Sequence, residues 1–149
     1  MPLVTAPPAH PRARSPCMPH ILIVEDEPTT SWALAEGLSD DGYTIDTFRT
    51  GEEALAWLRA HRSDLVITDV RLPGLSGLEL AQKLSRGRHA QPVIVVTAYG
   101  SPETVRDLVR AGVREVFPKP FHVDELRRAV HRALLARPER RRSPLRKAA

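Results

Sequence analysis

The stretch Ile21-Leu22-Ile23-Val24-Glu25-Asp26-Glu27-Pro28 decides how the rest of the chain is read. Four consecutive apolar residues suit a strand covered on both faces. Three carboxylates then end it, and Pro28 has no N–H with which to continue a ladder. In a twisted open α/β sheet, ligands bind outside the carboxyl ends of the strands. Adjacent carboxylates at such an edge repel one another unless a cation compensates them. The competing reading is an acidic helix start, because Asp and Glu suit helix N-termini.

From His20 onward, short apolar runs alternate with longer amphipathic stretches, the pattern of βα units around a parallel sheet. Strands are expected over 20–24, 43–48, 64–69, 92–97 and 114–118. The runs Leu65-Val66-Ile67-Thr68-Asp69 and Val93-Ile94-Val95-Val96-Thr97 have the continuous apolar character of central strands. Helices are expected over about 28–41, 51–61, 76–86, 102–111 and 122–136. The first carries Trp32, Ala35 and Leu38 on one side, with Gly42 placed to cap it. Thr50 and Glu53 form a capping box for the second. Leu78, Leu80, Ala81 and Leu84 are the apolar set of the third. Ser101 and Pro102 suit the N-cap and first helical positions of the fourth. The buried stripe of the fifth is expected at Val123, Leu126, Val130 and Leu134. The fold class is therefore α/β, a doubly wound (βα)5 unit whose five-stranded parallel sheet has helices on both faces.

The length of 149 residues suits one domain with one substantial core. The formal charge of +4 is unevenly placed: residues 20–136 hold 14 bases and 17 acids, so the basic surplus belongs to the termini. Residues 1–19, with six prolines, read as a disordered extension, and Met18 is read as the natural start. Residues 137–149 read as a basic, disordered tail. One cysteine, Cys17, excludes an internal disulfide and fits a reducing cytoplasm. No apolar run approaches the roughly 20 residues of a membrane span, and the N-terminus lacks a signal-peptide segment. The expected location is cytoplasmic.

Asp69 ends the third strand, Thr97 ends the fourth, and Lys119 follows the fifth. With Glu25 and Asp26 they share one edge of a parallel sheet. Each alone could be a turn cap, a backbone partner or a solvated charge; together they mark a site.

These motifs resemble the receiver domain of bacterial response regulators, a flavodoxin-like fold. The matching segments are the opening stretch, Asp64-Leu65-Val66-Ile67-Thr68-Asp69 with Pro73-Gly74 and Gly77 behind it, Val96-Thr97-Ala98, and Pro118-Lys119-Pro120-Phe121. The resemblance covers residues 20–136. It implies that Asp69 accepts a phosphoryl group from a histidine kinase or histidine phosphotransfer protein, in a Mg²⁺-dependent reaction. Phosphoryl transfer needs in-line positioning and neutralisation of the phosphoryl oxygens more than covalent work. Mg²⁺ prefers oxygen ligands and keeps several waters. By resemblance, Asp26, Asp69 and the backbone carbonyl of Arg71 would bind it, with Glu25 acting through water. Lys119 and Thr97 would contact the phosphoryl oxygens, and Lys119–Pro120 would be a cis peptide. The protein would thus be a phosphoacceptor with self-catalysed chemistry, not an enzyme of the ordinary kind.

One position departs from the family pattern. The switch aromatic lies three residues before the lysine, and here that residue is Val116. Phe117, one place on, should face the other side of the sheet. Tyr99 and Arg71 flank the phosphoryl position and are expected to hinder water attack on the acyl phosphate.

Other phosphate-handling folds fit less well. A haloacid-dehalogenase-type phosphatase needs an Asp two residues after its nucleophile, where this chain has Arg71. A flavodoxin's phosphate would be repelled by Glu25-Asp26-Glu27. No G-x-G-x-x-G follows the first strand, as a dinucleotide fold would require. The output is expected to be a protein–protein interaction with a downstream target, through the face of the fourth helix, fifth strand and fifth helix. That face, which would also serve a homodimer, is expected to offer Arg106, Asp107, Arg110, Arg114 and Arg127. About 13 residues follow Ala136, too few for a helix-turn-helix, so nucleic acid is not expected as a partner. The alternatives are a transcription-linked regulator whose basic tail contacts nucleic acid, and a phosphorylation-independent scaffold.

Overall fold

Ten elements alternate along the chain: β1 (His20–Val24), α1 (Pro28–Ser39), β2 (Thr44–Phe48), α2 (Gly51–Leu58), β3 (Leu65–Thr68), α3 (Gly77–Arg86), β4 (Val93–Thr97), α4 (Pro102–Arg110), β5 (Glu115–Pro118) and α5 (Val123–Leu135). They come from a computed structural model describing residues 18–86 and 90–136. The expectations for residues 1–17 and 137–149 lie outside the described residues.

The strands pair in parallel in the order β2-β1-β3-β4-β5. The strand order turns back between β1 and β3, and a crevice forms there at the carboxyl edge. All residues of β1, β3 and β4 are buried, as their unbroken apolar runs require. Edge strand β2 is partly exposed throughout.

Alternation along each strand divides the core in two. Ile21, Ile23, Ile67, Ile94 and Val96 pack with Leu34 and Leu38 of α1 and Leu126, Ala129, Val130 and Ala133 of α5. Leu22, Val24, Val66, Val93 and Val95 pack with Ala54 of α2, Leu80, Ala81 and Leu84 of α3, and Leu108 of α4. Phe117 joins the first set and Val116 the second, the opposite facing that strand alternation requires.

Helix ends follow local chemistry. Thr50 Oγ1 accepts from Glu53 N at 3.1 Å, and Ser101 Oγ accepts from Thr104 N at 3.2 Å. Gly42 has φ +79°, but it lies two residues beyond the Asp40 C-cap of α1. Among the described residues no helix is long and apolar enough to cross a membrane.

Four side chains depart from the sequence expectation. Trp32 is 66% exposed; α1 turns Leu34 and Leu38 inward instead, because α5 packs along its other flank. Val123 is 39% exposed and Leu134 only partly buried, so the buried stripe of α5 runs through Leu126, Ala129, Val130 and Ala133. Arg106, Asp107, Arg110 and Arg114 are exposed as expected. Arg127, however, is partly buried and reaches toward α1, donating from Nη2 to Asp41 Oδ1 at 2.6 Å and from Nε to Asp41 Oδ2 at 2.9 Å.

Candidate functional site

The sheet's last hydrogen bonds carry the expected site residues. Glu25 N donates to Phe48 O at 2.9 Å, Asp69 N to Val24 O at 3.2 Å, and Lys119 N to Thr97 O at 2.9 Å. Four of the five strands thus deliver one or two polar residues each to one edge. The peptide between Lys119 and Pro120 is cis.

The structure joins three of these side chains directly. Lys119 Nζ donates to Asp69 Oδ2 at 2.7 Å and to Glu25 Oε2 at 2.9 Å. Both carboxylates are nearly out of contact with water, Glu25 at 2% and Asp69 at 7% exposure. Burial raises the Glu25 carboxyl above its ordinary 4.5, and the hydrogen bond from Lys119 offsets only part of that effect. Burial works against the Lys119 ammonium too, but its bonds to Asp69 and Glu25 outweigh this and keep its pKa above the ordinary 10.5. Thr97 is also buried, and its Oγ1 accepts from Tyr99 N at 3.1 Å. Asp26 is partly exposed beside Glu25, and no protein group hydrogen-bonds its carboxylate among the described residues.

The main chain after Asp69 is tightly held. Arg71 N donates to Asp69 Oδ1 at 3.3 Å, and Gly77 N donates to Val70 O at 2.8 Å. A Cβ at Gly77 would stand 1.9 Å from Asp69 O, so only glycine permits this approach of α3 to the end of β3. Two contacts were not legible in the sequence. Glu52 Oε1 accepts from Leu75 N at 2.6 Å, and the Arg71 guanidinium lies 3.7 Å from the centroid of the Tyr99 ring. The positions of Arg71 and Tyr99 two residues after Asp69 and Thr97 hinted at the second; nothing local announced the first.

The donor chemistry fits a hard divalent cation. Glu25 and Asp69 are set against the single ammonium of Lys119, with Asp26 next along the chain from Glu25, leaving an excess of negative charge where burial makes charge costly. Both Glu25 oxygens already accept hydrogen bonds, from Lys119 and, at 3.2 Å, from Glu27 N, which suits it to act through water. Among the described residues no three His, Cys, Asp or Glu side chains are gathered to hold a metal by themselves. The Arg71 carbonyl and water would have to complete the shell, which is how Mg²⁺ is commonly held.

Comparisons with known proteins agree with this fold. The family model described as "Response regulator receiver domain" matches residues 21–131. Over 114 residues the chain is 32% identical to the DNA-binding transcriptional regulator NtrC of Salmonella typhimurium, covering 76% of this chain and 24% of that protein. Over 106 residues it is 39% identical to the transcriptional regulatory protein TcrA of Mycobacterium tuberculosis, covering 71% of this chain and 42% of that one. The chain therefore spans less than half the length of these relatives. The crystal structure of a response regulator from Thermotoga maritima superposes with a TM-score of 0.73 at 27% identity, covering 80% of this chain and 99% of that one. The chain belongs to the response regulator receiver domain family of two-component signalling, whose members are phosphoacceptor domains.

Proposed function

We propose that Asp69 receives a phosphoryl group from a histidine kinase or histidine phosphotransfer protein, with Mg²⁺ held by Asp26, Asp69 and the Arg71 carbonyl. The carrying observation is the buried bridge in which Lys119 Nζ contacts both Asp69 and Glu25. The bridge fixes a cation beside the nucleophile and occupies one oxygen, Oδ2, of its carboxylate. In the transfer, an Asp69 oxygen bonds to phosphorus as the phosphorus–nitrogen bond of the donor histidine breaks and the imidazole leaves. When bound, Mg²⁺ supplies positive charge for the carboxylate and phosphoryl oxygens. Lys119 neutralises a phosphoryl oxygen, the Thr97 hydroxyl, which accepts from Tyr99 N, donates its own proton to a phosphoryl oxygen, and Glu25 orients water. The same residues would serve self-catalysed phosphorylation and dephosphorylation.

The proposed output is a protein–protein interaction in the cytoplasm, through the exposed Arg106, Arg110 and Arg114 around α4 and β5, with homodimerisation as one use of that face. The names of the relatives favour a second reading, a transcription-linked regulator. A mobility-shift assay on random duplex DNA, comparing the whole chain with one ending at Ala136, separates the two.

The central test is incubation with Mg²⁺ and acetyl phosphate, with Asp69→Ala alongside. Label should appear on the wild type, disappear with chelator and be absent from the variant. Equal labelling of both proteins would overturn the assignment of Asp69.

A further inference from the structure

We infer that Glu52, at the start of α2, is a positioning residue that holds the main chain following Asp69 in the form that presents the Arg71 carbonyl; this rests on the metal-assisted reading above. Residues 70–76 belong to no helix or strand, so their course depends on anchors. At the far end, Gly77 N donates to Val70 O at 2.8 Å, and the Gly77 backbone lies so close to Asp69 that a Cβ would fall 1.9 Å from Asp69 O. At the near side, Glu52 Oε1 accepts from Leu75 N at 2.6 Å across 23 residues of sequence. Gly74 has φ +73°, and a Cβ there would lie 2.5 Å from the same Glu52 oxygen. The carboxylate is therefore pressed against the loop backbone itself. Gly51 reinforces the contact, since a Cβ at that position would stand 3.0 Å from Leu75 Cδ2.

Arg71 lies between these anchors, and its own N–H is already turned to Asp69 Oδ1 at 3.3 Å. A short segment pinned at both ends has few alternative conformations, so its carbonyls are preset before any ligand arrives. An acidic residue in the first turn of a helix ordinarily serves that helix. Glu52 instead spends its acceptor on another element, and it touches neither Asp69 nor Lys119. Its effect on the site passes through its contacts with the loop at Gly74 and Leu75. Outer partners of metal ligands matter at this level: their loss commonly costs about 10–100-fold in metal affinity.

The test compares the full chain with Glu52→Met and Glu52→Gln. The two replacements are similar in length and helix preference, but only Gln keeps an oxygen that can accept from Leu75 N. Mg²⁺ alone is titrated while amide chemical shifts of residues 69–75 are followed, and hydrogen exchange at the Leu75 amide is recorded. Glu52→Met should bind Mg²⁺ about tenfold more weakly and exchange the Leu75 amide faster, whereas Glu52→Gln should stay near wild type in both. Unchanged Mg²⁺ affinity in Glu52→Met would overturn the role of Glu52. So would equal weakening in both variants, which would assign the effect to lost charge. A wild type that binds no Mg²⁺ and takes no label on Asp69 would instead bring down the reading beneath it.

Discussion

The Arg71 guanidinium stacks on the Tyr99 ring at 3.7 Å, joining the residues two places after Asp69 and two places after Thr97. Tyr99 is 52% exposed, so the stack forms at the surface beside the site. An exposed cation–π contact is worth about 0.5–1 kcal/mol, enough to order two long side chains that would otherwise swing freely. If the ordered pair obstructs water, Tyr99→Ala and Arg71→Ala should each speed phosphate loss from Asp69 by about two- to fivefold. The double variant should add little, because the two side chains act as one unit. The half-life of labelled protein in Mg²⁺ gives the answer. Unchanged half-lives in both single variants would show that the stack does not control water access.

Lys119 carries a second prediction, on stability. Its side chain, 19% exposed, pairs with Glu25 and Asp69 side chains that are 1% and 9% exposed. Lys119→Met strands two buried carboxylates, and losing one side of such a pair costs about 3–5 kcal/mol. Urea unfolding at neutral pH without divalent ions should show a loss of about 3 kcal/mol. Adding Glu25→Gln to Lys119→Met should restore part of it, because one stranded charge is gone. A double variant no more stable than Lys119→Met would place the cost in packing of the lysine stem.

The pair between Asp41, just past α1, and Arg127 of α5 sets an acid limit. The hydrogen bond from Arg127 holds the Asp41 carboxyl below its ordinary 3.8. A carboxyl depressed in the folded state binds protons more readily when unfolded, so it adds stability above its unfolded pKa. That stability is lost as pH falls through the depressed value. Arg127→Met should therefore flatten the fall in melting temperature below pH 4 and leave a small, constant deficit above it. Because the Arg127 and Asp41 side chains remain 40% and 26% exposed, the deficit should shrink in high salt. Parallel acid limbs in the two proteins would remove Asp41 from the account.

The strands were legible because β1, β3 and β4 are covered on both faces and so demand unbroken apolar runs. The carboxyl-edge residues were legible with them, since a strand's last residue fixes its place on the sheet. The phases of α1 and α5 were less so. Trp32, Ala33, Leu34, Ala35 and Leu38 admit more than one apolar stripe, and only the position of α5 selects Leu34 and Leu38. Arg127 turns toward the end of α1 and not to the expected face, because its partner Asp41 is 86 residues away. The Glu52–Leu75 bond escaped for the same reason, being a meeting of the first turn of α2 with a distant loop that no local pattern encodes. The stack of His20 and His61 on Trp57, with centroids 4.8 and 4.4 Å apart, joins three separated residues in the same way.

The sheet is also a partition between two sealed chambers, and a strand residue belongs to one or the other by the parity of its position. Val116 opens into the chamber of α2, α3 and α4, and Phe117 into that of α1 and α5. The bulk of this pair of neighbours therefore sits in the α1–α5 chamber. A swap of the two side chains would conserve total volume and move that bulk across the wall. Which chamber is filled is thus a choice of address, made by a single step along β5.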